Sequence, residues 1–73
     1  MLNLDEEISK NIKKIMREKF GTGTECAKLL GVSARSLNDS INKIKNGHYP
    51  SVKQLKRIAK VCECEITDFF KVD

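Results

Sequence analysis

Cys62 and Cys64 form a Cys-x-Cys pair, with Cys26 and His48 elsewhere in the chain, and thiolate and imidazole are the side chains that bind zinc. Structural zinc takes cysteine pairs separated by two to four residues, so a single intervening residue argues against a metal centre. Cysteine is among the most readily buried residue types, and core packing is the expected role of all three thiols. No metal or other cofactor is expected. His48 would need a nucleophile or a pair of carboxylates beside it to be catalytic. No such constellation can be assembled from the sequence, which reads as a non-enzyme.

A second set of candidates lies between Ser33 and Gly47, in SARSLNDSINKIKNG. Arg and Lys donate to guanine O6 and N7, Asn pairs bidentately with adenine, and Asp accepts from cytosine N4. If Leu37, Ile41 and Ile44 mark the buried direction of a helix, Arg35, Asp39, Asn42 and Asn46 lie near its opposite side at roughly 100° per residue. Asn38 and Lys43 flank them. That chemistry suits the major groove of DNA, although any amphipathic helix has a polar outer face. Asp39 is repelled by phosphates, so it either meets a cytosine amino group or buffers Arg35 one turn earlier.

Apolar spacing supplies the elements that would hold these groups. From Asp5 to Phe20, the residues Ile8, Ile12, Ile15, Met16 and Phe20 recur at the helical period, with Asp5, Glu6 and Glu7 favouring the N-terminal end. Gly21 and Gly23 break the run, and Thr22 with Glu25 reads as a capping box for a short second helix carrying Cys26, Ala27, Leu29 and Leu30. Gly31 stops it, and Ser33 is the expected N-cap of a third helix that ends at Asn46 and Gly47. Pro50 and Ser51 open a fourth, with Val52, Leu55, Ile58, Ala59 and Cys62 as its apolar stripe against exposed Lys53, Lys56, Arg57 and Lys60. A last turn runs from Ile66 to Phe70, where two Phe residues are expected to close the core. Two short helices joined only by Gly31, Val32 and Ser33 form the helix-turn-helix pattern.

Composition fits a small helical domain. A chain of 73 residues has room for one domain, residues 1–73 with a core over about 5–71. A net charge of +4 and a pI near 9.1 favour a polyanionic partner, though many small soluble domains carry such a charge. Three cysteines, an odd number, and an acidic N-terminal stretch in place of a signal-like one lead to the expectation of reduced thiols in a cytoplasmic protein. No apolar run approaches the ~20 residues needed to span a bilayer, so no membrane partner is expected.

The residues together resemble the phage repressor and Cro type of helix-turn-helix transcription regulator, the lambda repressor-like fold. TECAKLLGVS is similar to that family's first motif helix and turn, INKIKNG to the end of its recognition helix, and PSVKQLKRIAKVCECEITDFF to its fourth and fifth helices. The resemblance spans about residues 8–70 and implies an all-α, five-helix fold with a central helix-turn-helix. It also implies a dimer on a pseudo-palindromic double-stranded DNA operator, its half-sites about one turn apart. Base-reading candidates are Arg35, Asn38, Asp39 and Asn42; phosphate-contact candidates are Thr22, Thr24, Ser33, Ser36, Lys43, Asn46, His48 and Tyr49. The three cysteines fall where the family has Leu or Val.

This sequence departs from the family in four places. About four extra residues separate GVS from NG. If they extend the helix, Ala34, Arg35 and Asp39 are the readers; if they lengthen the turn, Asn38, Asp39 and Asn42 take over. Gly23 replaces a Gln that helps bind backbone and bases. Met16 and Lys45 replace a buried Arg–Glu pair, and losing both ends leaves no orphaned charge. Glu63 stands where a Gly often ends the fourth helix, which implies a strained turn. These departures keep open a different use of the same fold, as an antirepressor or inhibitor binding a protein. Lys10, Lys13, Lys14 and Arg17 make a basic stripe on the first helix, read as a solvated face or as a contact for flanking phosphate or an acidic protein. Apolar side chains near Phe69, Phe70 or Val72 are the candidates for a dimer surface.

Overall fold

The computed structural model describes residues 3–21 and 23–71, and among them it contains five helices and no strand. They are α1 (Leu4–Phe20), α2 (Gly23–Leu30), α3 (Ala34–Ile44), α4 (Val52–Val61) and α5 (Ile66–Phe69), in the order read from apolar spacing. Three of them begin where a short polar side chain accepts an otherwise orphaned backbone amide. Ser33 Oγ accepts from Ser36 N–H (3.1 Å) and Ser51 Oγ from Gln54 N–H (3.2 Å), as their positions before the apolar runs imply. Asn3 Oδ1 does the same for Glu6 N–H (3.1 Å), a cap not expected from the sequence. The Thr22 cap falls outside the described residues.

Leu37, Ile41 and Ile44 of α3 are buried among Ile12 and Met16 of α1, Cys26 and Leu30 of α2, and Ile58 of α4. α1 packs against α2, α3 and α5, while α4 packs against α2 and α5. Met16 lies in the core and Lys45 in solvent, so the apolar side chain and the free cation occupy the two positions without an unpaired buried charge.

One buried polar contact ties α1 to α3. In the last turn of α3 the Lys45 amide bonds to the Asn42 carbonyl (3.3 Å), one residue short of the helical pattern. The Ile41 carbonyl accepts instead from the hydroxyl of buried Ser9 at 2.9 Å. A buried carbonyl without a partner costs about 1–3 kcal/mol, so Ser9 does more than fill space.

The ends of α2 and α4 are built alike, with one instructive difference. At Gly31 (φ 75°) the Gly31 amide bonds to the Lys28 carbonyl and the Val32 amide to the Ala27 carbonyl. At Glu63 (φ 56°) the Glu63 amide bonds to Lys60 and the Cys64 amide to Ala59. Both turns need a left-handed residue, which Gly adopts freely and Glu does not. Glu63 is the strained position its sequence context implies, partly offset by an ion pair to Lys19 (2.7 Å) that holds its carboxyl below the usual range.

Three apolar side chains are not where helical spacing puts them. Leu29 is 64% exposed because it lies about 60° outside the arc of Cys26, Leu30 and Ala27. Val52 points along the stripe but sits a turn ahead of Leu55, the first covered position of α4, and is exposed. Of the two Phe residues expected to close the core, Phe69 is fully buried, whereas Phe70 is 41% exposed and stacks on Tyr49, centroids 6.5 Å apart. Adjacent residues lie about 100° apart on a helix, and the single turn of α5 directs Phe69 into the core and leaves Phe70 at its edge. Phe69 therefore offers no dimer surface, and Val72 lies outside the described residues.

Ser9→Ala should lower unfolding stability by about 1–3 kcal/mol in urea titrations, with the slope unchanged. Glu63→Gly should do the opposite: relief of the left-handed strain outweighs an exposed ion pair, and the thermal midpoint rises by several degrees.

Candidate nucleic-acid interface

The junction of α2 and α3 is short and pinned from outside. Gly31 turns the chain, Ser33 caps α3, and the Arg57 guanidinium of α4 donates to the Leu30 carbonyl at the end of α2 (3.0 Å). A cation there also suits the negative end of the helix dipole. α3 then runs without interruption from Ala34 to Ile44. Of the two alternatives for the segment after Ser33, the continuous helix is therefore the one formed, and the turn is confined to residues 31–33.

With Leu37, Ile41 and Ile44 turned inward, Arg35, Asn38, Asp39 and Lys43 are all exposed. Arg35 and Asn38 line, with Ala34 and Thr24, an open depression of about 420 Å³ between the starts of α2 and α3. Residues assigned separately as base and phosphate contacts thus share one hollow. Among the described residues no ion pair joins Arg35 to Asp39, so the buffered arrangement is not formed. Gly23 opens α2, so that position has no side chain to offer.

Asn42 departs from the helical-wheel expectation. It is half-buried, and its Oδ1 accepts a hydrogen bond from Lys13 Nζ of α1. It lies at the edge of the outward arc, where the neighbouring helix decides what a side chain meets. That bond takes up one of the two lone pairs of the amide oxygen and ties the side chain to α1, so pairing with adenine would have to compete with Lys13.

The phosphate candidates divide as well. Ser33, Ser36, Asn46 and His48 are exposed; Ser33 spends its oxygen on the cap and keeps its hydroxyl hydrogen available. Tyr49 donates its hydroxyl to Asp5 Oδ1 (2.5 Å). Partial burial, followed by this bond and the carboxylate's charge, pushes the phenol up to about 12. Phosphate oxygens only accept, so a phenol already donating to a carboxylate is a poor partner for them. Tyr49 is thus engaged within the chain, and Thr22 lies outside the described residues.

The thiols are packing groups by geometry. Cys26 and Cys62 are buried in the core, Cys64 is half-buried, and no three His, Cys, Asp or Glu side chains gather among the described residues. Burial pushes the Cys62 thiol up to about 12, assisted by neighbouring Cys26, and burial raises Cys26 as well. Protonated, enclosed thiols react slowly. Titration with a thiol-specific disulfide reagent should modify Cys64 first, with Cys26 and Cys62 reacting only at the rate of unfolding; fast reaction of all three would contradict the packing. No protein-family model, curated protein or solved structure matches the chain.

Proposed function

We propose that the chain is a sequence-specific DNA-binding transcription regulator in which α2 and α3 act as a helix-turn-helix and α3 enters the major groove. What supports this most is one observation. An uninterrupted α3 follows a three-residue turn, with its apolar stripe buried, Arg35, Asn38 and Asp39 exposed, and Arg35 and Asn38 beside Thr24. Arg35 would address guanine and Asp39 a cytosine amino group, while Asn38 can pair with adenine. At eleven residues, α3 is roughly 16 Å long, enough to cross a groove about 12 Å wide. The chain would act without catalysis or cofactor, as a dimer on half-sites about one turn apart. Phosphate neutralisation by its excess of cations would supply most of the affinity.

The unpaired carboxylate of Asp39 and the bare Gly23 favour a second reading, in which the same face binds a protein. Selection from a random duplex library separates the two. Enrichment of one motif is expected, and Arg35→Ala should relax the choice at one base pair, costing about 1–3 kcal/mol there. If no duplex is enriched above non-specific binding, the operator reading fails and protein capture becomes the relevant assay.

A further inference from the structure

Lys10, Lys13, Lys14 and Arg17 line an open depression of about 370 Å³ along α1, and Lys13 is bonded to Asn42 of α3. From this we infer that the stripe is a second DNA contact: a rail for the phosphate backbone beside α3, with Asn42 positioning Lys13 on it. The inference rests on the DNA reading above and assigns a partner surface that the helix-turn-helix itself does not include.

Charge accounting favours a polyanion. Among the described residues, Lys13, Lys14 and Arg17 have no carboxylate within ion-pair distance. Lys10 has only Glu6, an exposed neighbour one turn away at 3.4 Å, and such pairs are weak and easily exchanged. Glu18, at the end of the stripe, is the one carboxylate lining the depression. Asn42 is neutral, so it fixes the Lys13 ammonium without cancelling its charge, and the remaining ammonium hydrogens stay free to donate.

Geometry favours an extended, repeating anion. From Lys10 to Arg17 the helix rises roughly 10 Å, a length of duplex axis over which one strand carries about three phosphates, at 3.4 Å of axial rise each. The Lys13–Asn42 bond puts this row directly alongside α3, so a strand at the rim of a groove occupied by α3 would meet it. α4 also carries exposed Lys53, Lys56 and Lys60, but its backbone does not pack closely against α3, and the chain from Asn46 to Ser51 lies between them. The two basic faces are therefore separable by mutation.

The test compares the variant Lys13→Ala/Lys14→Ala/Arg17→Ala with the charge-matched control Lys53→Ala/Lys56→Ala/Lys60→Ala. Binding to the selected duplex and to a scrambled one is followed by fluorescence anisotropy between about 50 and 200 mM salt. Each lost phosphate contact lowers the slope of log K against log salt by about 0.9, so the α1 variant should lose roughly 2 to 3 while the α4 control keeps its slope. Both duplexes should weaken by the same factor in the α1 variant, because phosphate contacts carry no sequence information. Asn42→Ala should resemble Lys13→Ala, leave base preference intact, and add nothing when the two are combined. An unchanged slope in the α1 variant with motif selection retained overturns the rail and leaves the DNA reading standing. Equal losses in both triple variants also overturn it, since bulk charge would then suffice. If the intact chain binds no duplex at all, or only an acidic protein, the rail and the DNA reading fall together.

Discussion

The rotation of α3 about its own axis is fixed by three buried side chains and one buried hydrogen bond, and the character of its polar face follows from that. Burying Leu37, Ile41 and Ile44 is worth about 1.5–3 kcal/mol each. Turning the helix by one residue would expose part of this stripe and, in one direction, drive Lys43 towards the core in place of Ile44, where an unpaired charge costs several kcal/mol. The Ser9 hydroxyl on the Ile41 carbonyl adds a directional constraint that hydrophobic contact lacks, since it fixes the height of α3 against α1 as well as its angle. Arg57 does the corresponding work at the other end by holding the last carbonyl of α2.

Much of this fold is legible in the sequence because its signals are local. Ser33 and Ser51 stand before apolar runs and cap the helices that follow. Gly31 and Glu63 lie at matching distances beyond two apolar stripes and take up matching turns. Less legible are the residues whose fate depends on a neighbouring helix. Helical spacing puts Asn42 on the outward side, but spacing gives an angle and not the distance to α1, and Lys13 reaches it. Ser9 is a polar residue inside an otherwise apolar arc, and its use appears only once the orphaned carbonyl of Ile41 is known. Tyr49 illustrates the same limit over a longer range, because Asp5 is 44 residues away in the chain.

Met16 and the three cysteines occupy core or near-core positions that larger aliphatic side chains could also fill. A core tolerates hydrophobic replacement when volume and patterning are kept, and thioether and thiol groups are adaptable fillers. Met16, Cys26 and Cys62 are all buried with no polar atom left unsatisfied among the described side chains. At eleven residues α3 makes about three turns, and it ends with Asn42 against α1 and Ile44 in the core.

Under the DNA reading, that arrangement divides the work between two helices. A cation on α3 raises affinity for every duplex alike unless it meets a particular base, so crowding α3 with lysine would strengthen non-specific binding as much as specific binding. The free cations of α1 stand next to α3, and α3 itself carries an exposed carboxylate at Asp39. A carboxylate that weakens phosphate contact in general, yet accepts from a cytosine amino group in particular, lowers the affinity for wrong sequences more than for the right one. Its position among Arg35, Asn38 and Lys43 is then a source of discrimination, with α1 restoring the attraction that Asp39 removes.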